Sequence, residues 1–352
     1  MNLLVIDYMP SKGHRVFNKI HIDVIARLGI VDEVILMSVG GFFDYIEGAK
    51  IRHKSIPSWM FASFKNAMVA HFLVRLFDIL KLAYIKYFLI KEGRSIDGIV
   101  FLDYDIMSMF TFKTKKNVYL INHFNIDGLD NGIKRFLTSH LKANYIHVNF
   151  NNYIDDRLKA LIPSCSSYVI PHGIYYNYLR RDKRDISSIT NGGRFIFCPI
   201  ASSCDSKLLN DLFSNRDVLN YIREKNFCVL LKGNAVTFND TRVKNLPSSL
   251  DEELYETLLS NAFVVLLPYD RNFNYRVSGI LHECFAHNVP VITSPTKSFE
   301  QYKAFINYDF LVSNSSDLIS ALDTLSSCEF YYKDLEILSP EKGWNRLLSA
   351  TI

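Results

Sequence analysis

Ser278, Gly279 and Glu283 are the residues in this chain whose types and spacing suit a phosphorylated, hydroxyl-bearing ligand. Asn261-Ala-Phe-Val-Val-Leu-Leu-Pro-Tyr-Asp270 reads as a buried strand ending at Pro268, Arg271 to Val277 as a loop, and Ser278-Gly279 as the opening of a helix that runs to His287. A helix N-terminus presents backbone N–H groups without intrahelical partners and the positive end of the macrodipole, so it attracts anions. Gly279 adds no Cβ to obstruct an approaching phosphate, and Ser278 can cap the helix or donate. Glu283 follows Gly279 by one helical turn on the same face, where its carboxylate can accept two hydroxyls of a ribose attached to that phosphate. A nucleoside diphosphate meets both demands.

Other chemistries find little support. No G-x-G-x-x-G follows the apolar runs Leu3 to Ile6 or Arg194 to Pro199, which argues against a nicotinamide dehydrogenase, and no G-x-x-x-x-G-K-[ST] is present. His282 and His287 lack the carboxylate partner of a metal pattern, so no metal and no other cofactor is expected. The six cysteines are scattered without C-x-x-C and read as reduced core residues. A net charge of +4 is too weak to suggest nucleic acid as a partner.

These residues need a scaffold, and the rest of the chain spells one. Short β-branched apolar runs at Leu3 to Ile6, Glu33 to Ser38, Gly98 to Leu102, Asn117 to Ile121, Tyr145 to Asn149 and Tyr168 to Ile170 alternate with helical stretches. That alternation predicts a parallel sheet. After Pro171 the text turns aromatic and basic, then loop-like through Ser187, Ser188, Asn191, Gly192 and Gly193. A second series follows, with strands at Arg194 to Pro199, Cys228 to Leu231, Ala262 to Leu267 and Val289 to Thr293. The 352 residues therefore divide into two α/β units, 1–175 and 190–335, with 336–352 as a last helix that docks, crossing back to the first unit. Open α/β sheets place ligands at the carboxyl ends of their strands, so function is expected in the loops there.

The strand, L-P-Y, loop, S-G and then I-L-H-E-C-F-A-H-N-V-P-V-I resemble the donor-binding core of retaining GT-B glycosyltransferases of the group 1 type. The resemblance implies an α/β GT-B fold, two Rossmann-like domains facing a central cleft, and transfer of a sugar from a nucleoside-diphosphate sugar without a metal. Within it, Glu283 matches the second glutamate of the family's E-x7-E motif, which holds the donor ribose. The first glutamate is replaced by Tyr275, and Arg276 beside it is a candidate for stabilising the leaving diphosphate. Phe227-Cys-Val-Leu-Leu-Lys-Gly-Asn234 is similar to the family's strand ending in a glycine turn, which makes Lys232 and Gly233 donor-site candidates. Lys207 matches the basic residue placed after the first strand of the nucleotide domain, and Leu246 to Ser260 the turn and helix leading to the donor strand. Val169-Ile-Pro-His-Gly-Ile174 is similar to the V-I-P-N-G-V that enters the linker, with His172 in place of asparagine. His123, in Asn122-His-Phe-Asn125, stands where related enzymes carry a histidine facing the sugar, and Gly13 and His14, in Pro10-Ser-Lys-Gly-His14, fall in the loop near the acceptor. The candidates are thus His123, Arg276 and Lys232 for catalysis; Lys207, Lys232, Gly233, Tyr275, Arg276, Ser278, Gly279 and Glu283 for the donor; and Gly13 and His14 for the acceptor. Two alternatives stay open: a sugar-nucleotide epimerase, using Asp103, Asp105 and Glu283, and a degenerate nucleotide-binding or interaction module.

Between Lys50 and Arg94 there are nine Lys or Arg against Asp78 and Glu92, in a stretch dense in Phe, Leu, Ile and Met. The charges interrupt every run long enough to span a bilayer. One reading is a long core helix with His71, Arg75, Asp78 and Lys86 on one stripe. The other is an amphipathic surface on anionic lipid, which fits a lipid-linked or glycan acceptor in bacterial surface polysaccharide synthesis. The N-terminal apolar run is too short for a signal peptide, so a cytoplasmic enzyme, peripheral at the inner membrane through 50–94, is the expectation.

Overall fold

The computed structural model describes residues 1–10, 14–61, 67–92, 95–175, 185–200, 204–233, 238 and 240–351, without the side chains of 67–72. Gly13, Lys65 and Arg94 lie outside the described residues. The chain forms two compact units. The first comprises Met1–Gly173, Tyr275–Val277 and Leu338–Ile352, the second Ile174–Asn274 and Ser278–Ile337.

The first unit is built on seven parallel strands: β1 (Asn2–Asp7), β2 (Glu33–Val39), β3 (Ile51–Ile56), β4 (Gly98–Asp103), β5 (Asn117–Ile121), β6 (Tyr145–Asn149) and β7 (Ser166–Val169). They are ordered β3-β2-β1-β4-β5-β6-β7. The chain therefore winds outward in both directions from the β1–β4 neighbours, and the switch point lies at their carboxyl ends, where Asp7 is in register with Asp103. Leu3 to Ile6 and Ile99 to Leu102 are buried, as central parallel strands covered on both faces must be.

β3 is not evident as a strand in the sequence. Its residues, Ile-Arg-His-Lys-Ser-Ile, pair only with β2, and an edge strand needs no continuous apolar run. The helix α1 (Arg15–Arg27) follows β1. The Glu341–Ser349 helix packs on α1, burying Trp344, Leu347 and Leu348, which share one face at helical spacing. Trp344 Nε1 donates to His21 Nδ1 at 2.9 Å, while His21 Nε2 lies 2.9 Å from the carbonyl of His172. One nitrogen accepts and the other donates, which fixes the tautomer with the proton on Nε2. Gly173, at φ +89°, closes this corner: a Cβ there would sit 2.6 Å from the Ile20 side chain.

The second unit carries five parallel strands: β8 (Arg194–Cys198), β9 (Phe227–Lys232), β10 (Val243–Leu246), β11 (Val264–Leu267) and β12 (Val291–Thr293), ordered β10-β9-β8-β11-β12. Here again the strand without a sequence signal, β10, is an edge strand that pairs only with β9.

The helix α2 (Ala67–Glu92) departs from the expected single polar stripe. Asp78 is buried while Arg75 and Lys86 are exposed, so its charges point in different directions. Among the described residues no helix is long and apolar enough to cross a membrane.

Candidate functional site

In the second unit β11 runs into a loop and then the Gly279–His287 helix. Ser278 is its N-cap: the Oγ accepts from Leu281 N–H at 3.2 Å and lies 3.0 Å from the Tyr269 hydroxyl. This hydroxyl is therefore committed to the helix end. Gly279 stands exposed, with nothing within 4 Å of where a Cβ would be. Among the described residues the space beside Gly279 at the helix N-terminus is thus open, and its φ does not require glycine. Gly279→Leu is expected to fold with stability within about 1 kcal/mol of the parent, because leucine favours helix and its Cβ meets no described residue. The same change should weaken binding of any anion at the helix end, and titration of a nucleoside diphosphate beside urea unfolding checks both outcomes.

Glu283 lies one turn along. Its Oε2 accepts from the Tyr255 hydroxyl at 2.8 Å, and Tyr255 projects from the Glu252–Asn261 helix. Lys232, the last residue of β9, holds its ammonium 5.8 Å from the centre of the Tyr255 ring. Burial pushes the Glu283 carboxyl up to about 7, with Glu256 adding to the rise and the Tyr255 hydroxyl and Lys232 opposing it. Gly233, at φ +97°, turns the chain directly after Lys232 and donates its N–H to the Leu246 carbonyl at 3.0 Å. Lys232, Gly233, Ser278, Gly279 and Glu283 thus belong to one unit, with Lys232 and Glu283 linked through Tyr255. Tyr255 escapes sequence reasoning because it lies 28 residues upstream of Glu283, beyond any local spacing.

Lys207 is exposed at the start of the Ser206–Phe213 helix, capped by Asp205. His282 has its Nδ1 3.0 Å from the Ser278 carbonyl, and burial lowers its pKa to about 4, so it is neutral. After β11 the rings of Tyr269 and Phe273 stack at 4.1 Å, and Phe273 lies nearly parallel to Phe299 at 5.8 Å.

Tyr275 and Arg276 belong to the first unit. The Tyr275 N–H donates to Asp127 Oδ1 at 3.0 Å, and the Arg276 guanidinium pairs with the other oxygen of the same carboxylate. The Tyr275 ring stacks on Tyr153 at 5.0 Å, with the Arg157 guanidinium 5.2 Å from its centre. The structure therefore pairs Arg276 with Asp127. A carboxylate that accepts from both the backbone and the guanidinium offsets the charge Arg276 would bring to a diphosphate.

At the switch point of the first sheet, the His14 and His123 rings stack at 4.2 Å, and His123 Nε2 lies 3.0 Å from the Leu102 carbonyl. Burial lowers both imidazoles, His123 well below its ordinary range with His14 and His21 adding to the effect. His14 Nδ1 lies 3.9 Å from Asp103 Oδ2 and has no hydrogen-bond partner among the described residues. Burial, then the charge of Asp7, raise Asp103 to about 8, against a hydrogen bond from the Tyr104 N–H. Asp7 is raised to about 6 by burial, although Asn18 Nδ2 and the Met9 N–H each donate to it at 3.1 Å. Asp7 escaped sequence reasoning because the apolar run stops at Ile6. Asp105 has a local task, capping a short helix by accepting from Ser108 N–H at 2.8 Å.

No protein-family model and no curated protein sequence matches the chain. Solved structures do. A trehalose-6-phosphate structure from E. coli bound with UDP-2-fluoro glucose superposes with a TM-score of 0.60 at 11% identity, covering 100% of this chain and 96% of that one. The MnaA–UDP co-structure from S. aureus gives 0.60 at 14% identity, covering 97% and 91%. A glycosyltransferase from Rickettsia africae gives 0.59 at 11% identity, covering 98% and 92%. At such identities the likeness establishes the fold, which is GT-B with two Rossmann-like sheets.

Proposed function

We propose that the protein is a glycosyltransferase that takes a nucleoside-diphosphate sugar in its second unit and moves the sugar, with retention, to a glycan or lipid-linked acceptor. One observation carries the reading: a half-buried Glu283, held by Tyr255 and influenced by Lys232, lies one turn behind an open helix N-terminus at Gly279. The diphosphate meets the backbone amides of Gly279 and Ile280, which precede the helix's own bonding pattern, and the ribose hydroxyls meet Glu283. The anomeric C–O bond breaks toward the diphosphate as the acceptor oxygen forms the new bond, and the acceptor's proton leaves with the diphosphate. Charge on the leaving group falls to Lys232 and the helix end, because Asp127 already engages Arg276. The rings of Tyr269, Phe273 and Phe299 supply a stacking surface for the base. His123 faces the transferred sugar, and His14 lies on the acceptor side.

The ligands bound by similar folds support this reading: UDP in the S. aureus structure and UDP-2-fluoro glucose in that from E. coli. The setting is cytoplasmic surface-polysaccharide synthesis, with peripheral membrane contact through 50–94.

A thermal-shift panel of nucleoside diphosphates and nucleotide sugars tests the reading. At least one is expected to raise the Tm, and Glu283→Ala should weaken its binding by about 10- to 100-fold, the equivalent of one hydrogen bond to a charged group. A panel without any shift, or an unchanged affinity in Glu283→Ala, overturns it.

The raised Asp103 beside His14 favours a second reading, a sugar-nucleotide epimerase, since it gathers proton-exchanging groups at one point. Deuterium entering the sugar of the donor from heavy water, with no acceptor present, would identify that activity.

A further inference from the structure

The helix α2 is turned inside out in charge. Asp78 and Lys81 face the core of the first unit as an ion pair of 2.7 Å, and the Lys81 ammonium also donates to the Tyr8 carbonyl at 2.9 Å. Leu82, Ile85 and Phe88 are buried on the same side. The opposite side is apolar and open: Leu76 is 41% exposed, Ile79 38%, Leu80 38%, Tyr87 61% and Ile90 76%. At about 100° per residue, these five and Ala83 occupy an arc of about 100°. Exposed Arg75 and Lys86 border the arc on one side and exposed Lys91 on the other. No exposed acid lies between Arg75 and Lys91, and Glu92 is already matched with Arg52 at 3.6 Å and Lys54 at 3.9 Å.

In water the preferred arrangement is the reverse, with charges outward and isoleucines inward. An apolar arc bordered by cations fits a surface that is hydrocarbon below and anionic above. We propose that α2 lies in the plane of an anionic membrane with Leu76, Ile79, Leu80, Tyr87 and Ile90 among the acyl chains and Arg75, Lys86 and Lys91 at the headgroups. The proposal rests on the membrane contact of the preceding reading, narrows it to one helix face, and requires nothing of the donor site. Trp59, 60% exposed and edge-on to Phe77 at 6.2 Å, extends the apolar surface beside the helix.

Flotation of the full chain with vesicles tests it, comparing pure phosphatidylcholine with a mixture containing a third phosphatidylglycerol. Binding is expected to the mixed vesicles, to fall at least tenfold in 0.5 M salt, and to fall at least tenfold in Ile79→Gln/Tyr87→Gln/Ile90→Gln. Arg75→Glu/Lys86→Glu/Lys91→Glu should abolish the preference for the anionic lipid. Because all six side chains are exposed, both variants should keep the parent's circular dichroism and nucleotide-induced Tm shift, so loss of lipid binding is separable from loss of donor binding. Absence of flotation with the mixed vesicles overturns the proposal, as does equal flotation of the Gln variant. A parent dimer that the Gln variant converts to monomer, with no vesicle binding by either, assigns the face to a second copy of the chain instead.

Discussion

Trp344→Ala is expected to destabilise the first unit by about 3–5 kcal/mol, the range for removing a large aromatic from a packed core. Trp344 is fully buried, edge-on to Tyr119 at 6.3 Å, and its indole N–H is the donor to His21 Nδ1. Alanine therefore leaves both a void and a buried imidazole nitrogen without its hydrogen bond. His21 has no easy escape by protonation, because burial holds its pKa at about 3. The loss should extend along the C-terminal segment, where Thr351 Oγ1 meets the Tyr119 hydroxyl at 2.6 Å. Urea unfolding followed by fluorescence and circular dichroism should show an earlier transition for the first unit. A shift under about 1 kcal/mol would mean that the Glu341–Ser349 helix is not docked in solution.

Asp103→Asn should stabilise the protein, and increasingly so as pH rises. The ordinary aspartate value is 3.8, while in the fold Asp103 titrates near 8 and Asp7 near 6. Both pKa values are raised on folding, so between these limits the folded chain binds more protons than the unfolded one. Stability therefore falls as pH climbs from about 4 towards 8 and levels off above. Asparagine cannot ionise, so the variant escapes the larger of the two contributions. Its advantage should be near zero at pH 4 and grow to a few kcal/mol by pH 8, at about 1.4 kcal/mol per pKa unit. Chemical denaturation of parent and variant from pH 4 to pH 9 reads this directly. Parallel pH curves would show that Asp103 titrates as an ordinary carboxylate.

That carboxyl pair stands at the β1–β4 switch point despite its cost, and groups so perturbed are commonest where a ligand is handled. A mutation that stabilises and simultaneously removes activity would mark Asp103 as part of the acceptor side.

How much was legible follows from how local each signal is. β1, β4, β5 and β6 are buried on both faces and read as apolar runs. β3 and β10 sit at sheet edges, where Arg52, Lys54 and Lys244 interrupt the pattern. Ser278, Gly279 and Glu283 were legible because one helix carries them all. Their partners were not. Tyr255 reaches Glu283 from another helix, and Asp127 lies 149 residues from Arg276. In α2 the residue types suggested one polar stripe. The Asp78–Lys81 pair gives the physical reason it is not one: two charges that satisfy each other can face inward and leave the outer face to hydrophobic side chains.

The poorly legible strand β3 has a further consequence. Its outer edge, on which none of the described strands pairs, is the kind of ladder on which another chain can polymerise. Arg52 and Lys54 put cations along it, tethered by Glu33 and Glu92. Two such edges approaching each other would have to desolvate these paired charges before their backbones could pair. The residues that break the apolar pattern thus act as gatekeepers against self-assembly, and neutralising them should be felt first in the protein's solubility.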